Sequence, residues 1–296
     1  MELSREDRIV GCILGGALGD SIGADREGAN REKAFSLPAR LFVTDDTQLT
    51  IATCEAIIAT RTVAPEPIAQ RFACWFRERR ITGIGSSTLK ALTELNAGVH
   101  WAMAGAGGER SAGNGAAMRI APVAFFLDPD EDAHRRTVRD VCRITHRNDE
   151  AYVGALAVLR TLRHVLVGAE LDHEFLSTLV AQLPDSNVRD RLCSCRDSQL
   201  TAGQYLERFA ATGYVVDSVP LAIVAAIGAS DFWETIQILM SCEGDTDTIA
   251  SMFGQIYGAA RGPGSLPTEL VATIVDVERF REIAEKLART DVRPLN

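Results

Sequence analysis

Apolar residues recur at helical spacing along almost the whole chain. Ile9, Val10, Ile13, Leu14, Ala17 and Leu18 follow the i, i+3, i+4 rule. Leu49, Ala52, Ala56 and Ile57 repeat it, and a proline-free run over 149–167 carries Val153, Leu156, Ala157, Leu159 and Val165 in the same way. Further helices are expected over 66–79, 87–95, 132–144, 173–182, 199–211, 218–228, 231–241, 246–260, 267–275 and 277–289. Strand-like alternation is nearly absent, and its best stretch, Leu41-Phe42-Val43, is three residues long. The pattern predicts an all-α protein of about a dozen helices. Glycine and proline fall at short connections such as Arg261-Gly262-Pro263-Gly264, with no composition break and no fixed-period repeat. Residues 1–296 are therefore expected to form a single domain. Gly11, Gly15 and Gly19 share one face of the first helix. Each costs about 1 kcal/mol of helix propensity, so that face is expected to pack tightly against another helix.

Composition narrows the function classes. The chain of 296 residues is 46% hydrophobic and 24% charged, which rules out disorder as its main state. Lys and Arg total 31 against 40 Asp and Glu, a formal charge of −9. The basic footprint of a nucleic-acid or anionic-membrane binder is missing, so neither partner is expected. No uncharged apolar run approaches the ~20 residues that span a bilayer. The N-terminus is charged and mixed in sign, unlike a signal peptide. The seven cysteines are scattered, and only Cys193 and Cys195 are close. None has zinc-ligand spacing with a histidine. They read as small buried hydrophobes in a reducing compartment, and a cytoplasmic location is expected.

Two acidic motifs carry the strongest chemistry. Thr44-Asp45-Asp46-Thr47 precedes the helix expected near Gln48, and Gly244-Asp245-Thr246-Asp247-Thr248 precedes the one expected near Ile249. One reading makes them two separate N-caps, since Thr and Asp satisfy free helix N–H groups. A cap needs one such residue, however, and each motif has two acids flanked by hydrophobic sequence. Adjacent buried carboxylates repel unless a counter-charge joins them. The other reading is a joint divalent-metal site. Its ligands would be all oxygen, which suits Mg²⁺, Mn²⁺ or Ca²⁺ rather than zinc. Asp45 and Asp245 lie 200 positions apart, so the fold would have to bring the two helix starts together. Residues 45–49 do not form a prenyl-synthase-like Asp-Asp-x-x-Asp. No His-Asp dipeptide serves a helical phosphohydrolase.

Five blocks in order resemble the ADP-ribosylglycohydrolase family. They are Gly16-Ala17-Leu18-Gly19-Asp20-Ser21-Ile22-Gly23-Ala24, Thr44-Asp45-Asp46-Thr47, Ser111-Ala112-Gly113-Asn114-Gly115-Ala116-Ala117-Met118-Arg119, Thr145-His146, and Gly244-Asp245-Thr246-Asp247-Thr248. The likeness runs from about Asp7 to about Ala288. It implies a compact orthogonal helical bundle with a two-metal cleft. Thr44, Asp45, Asp46, Asp245, Asp247 and Thr248 would hold two Mg²⁺ (or Mn²⁺) ions. The implied activity is metal-dependent removal of ADP-ribose from a modified protein side chain or an O-linked compound. The implied partner is ADP-ribose or an ADP-ribosylated protein, with its distal ribose on the metals. Glu27 resembles the acid/base of the branch acting on serine-linked or O-acetyl ADP-ribose. Without the resemblance it is one of several charges on a solvated loop. Asp46 and Asp247 are the other residues implied in catalysis.

The rest of the ligand site is read by residue type. Gly83, Gly85 and Ser86 open a helical run whose bare N–H groups suit a diphosphate. Ser111, Gly113 and Asn114 form a second glycine-rich turn, and either stretch could be a plain turn. His146 is a structural or ligand-contacting histidine. Tyr257 is a stacking residue or a core residue. Arg119 is expected to pair with buried acids. The arginine-linked branch of the family often has an Asp where this chain has Gly83, which favours an O-linked substrate. Two rivals stand: a non-catalytic ADP-ribose-binding or crystallin-like relative, and a hydrolase of another ribosyl or nucleotide-diphosphate compound.

Overall fold

The glycine face of the first helix meets a second glycine face near the other end of the chain. The computed structural model describes residues 3–26 and 37–293. Helix α1 (Arg5–Arg26) buries every residue from Arg8 to Gly23, so it is covered on all sides. After it come α2 (Asp45–Thr60), α3 (Pro65–Arg77), α4 (Ser86–Asn96), α5 (Trp101–Ala104), α6 (Ala121–Ala124), α7 (Asp132–Arg143) and α8 (Asp149–Leu166). The second half holds α9 (His173–Gln182), α10 (Asn187–Asp197), α11 (Ala202–Arg208), α12 (Val215–Gly228), α13 (Phe232–Leu239), α14 (Thr246–Arg261), α15 (Thr268–Val271) and α16 (Val277–Ala288). The fold is all-α, as the periodicity predicts.

Helices α1 and α14 lie antiparallel with backbone against backbone. A Cβ added to Gly15 would sit 2.2 Å from the Gly254 carbonyl oxygen, and one on Gly11 2.1 Å from that of Gly258. Gly19 meets Ala250 and Gly23 meets Asp247 in the same way. The four-residue ladder thus continues through Gly23 to the first turn of α14. Thr246 to Ala259 of α14 are all buried, beneath α1, α2, α8, α12 and α13.

Most predicted helices lie within a few residues of their observed bounds. Helix α12 begins at Val215 rather than 218, which places Pro220 inside it. The Tyr205 hydroxyl bonds the carbonyl of Asp217 at 2.8 Å and reaches that of Val216 at 3.4 Å, near where the proline removes an N–H. Helix α10 is absent from the sequence expectations. Its apolar face is only Val188, Leu192 and Cys195 among charged neighbours, too narrow for a periodicity argument. Leu41-Phe42-Val43 contributes a single bridge, from Leu41 to Ile274. The two-residue strands Ala106–Gly107 and His146–Arg147 pair in parallel instead. No helix among the described residues is long and apolar enough to cross a membrane.

Replacing Gly15 by alanine is expected to lower stability by about 3 kcal/mol or more, because two backbones must part to admit one methyl group. Gly203→Ala in α11, where nothing lies within 4 Å of the new Cβ, is the control. It should be neutral or slightly stabilising. Thermal unfolding of the two variants beside the parent checks this, and equal melting temperatures would reject the tight contact.

Candidate active site

Glycine contact between α1 and α14 brings Asp20 to the start of two other segments. Its carboxylate accepts the Thr44 backbone N–H at 3.1 Å and the Thr44 hydroxyl at 2.7 Å. It also accepts the Thr47 N–H at 3.1 Å and the Thr47 hydroxyl at 2.5 Å. Asp20 therefore caps α2 from a different helix. Thr44, at the N-cap position, accepts no backbone N–H of its own helix with its side chain. The same holds for Asp245 at the start of α14. Two separate caps are thus not what these acids form.

Helix α14 is started by a pinned loop. Gly244 adopts φ +126°, and a Cβ there would lie 2.2 Å from the Ala211 carbonyl oxygen. The Asp245 N–H donates to that same oxygen at 3.0 Å. Asn114 Nδ2 donates to Asp245 Oδ2 at 2.5 Å and to Ser218 Oγ at 3.1 Å. This loop delivers Asp247 beside Asp20 and Asp46. Oxygens of these three buried carboxylates lie within 4.8 Å of one another. The Thr248 hydroxyl reaches Asp46 Oδ2 at 3.1 Å.

Burial is the main electrostatic fact of this cluster. It raises Asp20 to about 6, against the hydrogen bonds from Thr47 and Thr44 that pull the other way. Asp45 is pushed well up by burial and by the charges of Asp20 and Asp245. Asp46 is pushed well up by burial and by Asp247, Asp20 and Asp45. Asp46 Oδ1 is buried with no hydrogen-bond partner among the described residues. An orphaned carboxylate oxygen amid repelling acids and threonine hydroxyls is a donor set that fits a hard divalent cation.

Above the cluster lies a cleft of about 260 Å³. Asp45, Asp245, Asp247 and Thr248 supply its acidic lining, and Thr44 and Asp46 are not among the lining residues. Gly83, Gly85 and Ser86 of the predicted ligand set also line it, where α4 begins beside Thr44 and Asp45. Gly83 has φ +73°, and a Cβ there would meet that of Thr44 at 3.0 Å. The glycine lets the α4 start approach the α2 start. Gly113, Asn114 and His146 complete the wall.

Some sequence expectations fall elsewhere. Tyr257 is not at the cleft: it packs edge-on to Phe232 and against Phe253, in the core about 15 Å along α14 from Asp247. Ser111 is outside the lining, its hydroxyl donating to the Gly107 carbonyl at 2.9 Å. Arg119 pairs with no acid among the described residues. It is fully buried and donates to the Val141 carbonyl and the Thr145 hydroxyl, with its guanidinium over the Phe72 ring. Glu27 lies outside the described residues. Asp20 is missing from the predicted set. Its signal was an acid on a helix face otherwise reserved for glycine and apolar residues.

A family model for ADP-ribosylglycohydrolase matches residues 1–295. The chain belongs to the ADP-ribosylglycohydrolase family. Membership makes it a glycosidic-bond hydrolase. It is 27% identical to ADP-ribosylarginine hydrolase Tri1 of Pseudomonas putida, over 95% of this chain and 78% of that one. It is 23% identical to ADP-ribosylhydrolase ARH3 of Homo sapiens, over 95% of this chain and 93% of that one. A solved structure titled ADP-ribosylglycohydrolase-related protein complex superposes with a TM-score of 0.73 at 27% identity. It covers 97% of this chain and 99% of that one. The all-α architecture is thus shared across the ADP-ribosylglycohydrolase fold.

His146 gives the ADP-ribosylglycohydrolase cleft a pH signature. Burial, reinforced by the charge of Arg119, lowers it to about 3. The folded protein holds the ring neutral, so the unfolded chain takes the proton first as pH falls. On this account stability is full above about pH 6.5 and declines toward pH 3, by about 1 kcal/mol per pH unit. Urea midpoints of the parent and of His146→Gln, followed from pH 7 to pH 4, are expected to converge as pH falls. Parallel curves would show that the ring is not held neutral.

Proposed function

We propose that this protein is a metal-dependent hydrolase that releases ADP-ribose from an O-linked adduct. The observation that carries the reading is the orphaned Asp46 oxygen within a desolvated acidic cluster, whose Asp247 lines a cleft shared with a helix N-terminus. Asp45, Asp46, Asp245 and Asp247, with the hydroxyls of Thr44 and Thr248, would hold two Mg²⁺ or Mn²⁺ ions. When bound, such ions supply Lewis-acid polarisation and a hold on the ribose hydroxyls.

The chain's own residues account for the rest. The first N–H groups of α4 have no intrahelical partner, and Gly85 at the cap has no side chain to occupy them. They suit the diphosphate that an acidic protein must otherwise repel. Asn114 holds Asp245 by its side-chain amide and so keeps that carboxylate turned to the cleft. Hydrolysis breaks the bond from the anomeric carbon to the leaving oxygen, with oxocarbenium character developing at the carbon. A proton must reach that oxygen, and another must leave the attacking water. We assign this transfer to Glu27, with Asp247 the second candidate. Gly83 supports the O-linked substrate, because the Asp that the arginine-linked branch often has there is missing, and a side chain at this position would press on Thr44. The likeness to proteins named ADP-ribosylarginine hydrolase, at 27% and 28% identity, favours an arginine adduct as a second reading.

ADP-ribose release from arginine-linked, serine-linked and O-acetyl substrates, each with Mg²⁺, Mn²⁺ or EDTA, tests both. Metal-dependent release from O-linked substrates alone is expected. Release from arginine alone would overturn the linkage, and release in EDTA would overturn the metal role. Glu27→Gln is expected to lower turnover about tenfold or more while leaving Mg²⁺ affinity by calorimetry unchanged. Parent-like turnover would move the proton transfer to another residue.

A further inference from the structure

Arg119, Thr145 and His146 form a chain of hydrogen bonds with one consistent arrangement of protons. Arg119 Nη2 donates to Thr145 Oγ1 at 2.7 Å, and arginine has no acceptor, so this hydroxyl must accept. Thr145 Oγ1 lies 2.9 Å from His146 Nδ1. Thr145 is fully buried, and no other acceptor for its single proton is found among the described residues. If Nδ1 carried a proton, two donors would point at one hydroxyl oxygen and the hydroxyl proton would be stranded. If Nδ1 is bare, it accepts the hydroxyl proton, and both Nδ1 and the Thr145 hydroxyl are satisfied. We infer that Arg119 and Thr145 are positioning residues that fix His146 as the neutral Nε2–H tautomer, so that the cleft presents a hydrogen-bond donor there to a ligand oxygen.

The surroundings of the ring agree. Nε2 has no protein partner among the described residues, and His146 lines the cleft. A Cβ on Gly113 would lie 3.1 Å from Nε2, and one on Gly115 2.7 Å from Cε1. Two glycines therefore leave the outer edge of the ring open. The cation of Arg119 is fully buried with Nε and Nη1 unpartnered, which is costly. A neutral donor could have bonded Thr145 and the Val141 carbonyl at lower cost. What a cation adds is a field that opposes protonation of the adjacent ring. Imidazolium is thereby excluded along with the Nδ1–H tautomer.

That the acceptor belongs to ADP-ribose rests on the proposed function, whereas the tautomer does not. Two measurements separate them. Nitrogen-15 spectra of the imidazoles in the ligand-free full chain report the tautomer directly, with the His146 signal identified by its loss in His146→Gln. The parent is expected to show a bare Nδ1 and a protonated Nε2 at pH 7. Thr145→Val is expected to mix or reverse the tautomer and weaken ADP-ribose binding about tenfold in the presence of Mg²⁺. Thr145→Ser is expected to restore both, which a packing role alone would not require. A protonated Nδ1 in the parent, or parent-like spectra from Thr145→Val, would overturn the inference. A changed tautomer with unchanged ADP-ribose affinity would overturn the donor's use by this ligand. If the parent binds no ADP-ribose, the functional reading fails, and the ligand-free spectra still decide the tautomer.

Discussion

Everything at the cleft depends on two helices touching without side chains between them. Helix α1 meets α14 through Gly11, Gly15, Gly19 and Gly23, and α14 answers with Gly254 and Gly258. Each glycine weakens its helix by about 1 kcal/mol, so isolated propensity argues against this arrangement. What offsets the loss is backbone contact along four turns and complete burial of the shared face. An ordinary helix pair sits 8–10 Å apart, and its side chains allow some slip. Backbone-to-backbone contact fixes register more strictly, since carbonyl oxygens meet Cα atoms at each step. That register decides which residue of α1 stands beside the first turn of α14, and it is Asp20.

Asp20 then converts a packing constraint into chemistry. A helix start ordinarily consumes its own Thr or Asp side chains in capping. Here the cap of α2 comes from α1, through four donors on Thr44 and Thr47. Asp45 and Asp46 are released from that duty and gather with Asp247 and Asp245. The result is unfavourable on its own terms, as the raised carboxylates and the unpartnered Asp46 oxygen indicate. Such a cluster persists because the surrounding core over-determines it, and its cost is stored at the place where a ligand can relieve it.

The glycine ladder and the paired acidic motifs were legible because each departs from what a helix wants locally. Gly11, Gly15 and Gly19 lower propensity at a regular interval, and Asp45-Asp46 doubles a charge where one suffices. Asp20 carries a weaker mark, one acid on a face of glycine and apolar residues, and its partners Thr44 and Thr47 lie 24 and 27 positions away. Tyr257 illustrates the converse. Its position after a metal motif suggested a ligand role, but ten residues along a helix carry a side chain about 15 Å away, into an aromatic cluster with Phe232 and Phe253. Arg119 needed the structure because its bonds run to Val141 and Thr145, 22 and 26 positions away. No periodicity encodes such pairs.

A net charge of −9 would seem to forbid an anionic ligand at an acidic cleft. The arrangement of helix ends removes the conflict. The starts of α2, α4 and α14 all reach the cleft, at Asp45, Ser86 and Asp247. Each helix start contributes roughly half a positive charge through its unpaired N–H groups, and the effect falls off within a turn. At α2 and α14 that field supports the carboxylates. At α4 no acid is present in the first turn; Asp45 takes up the cap N–H of Gly85, and the N–H groups of the first turn itself are left for a ligand. Gly83, with its left-handed backbone, lets the α2 and α4 starts stand close without a side chain between them. The cleft therefore has an acidic lining suited to cations and backbone N–H groups suited to phosphate. Local dipoles set this division, and the charge of the chain as a whole does not.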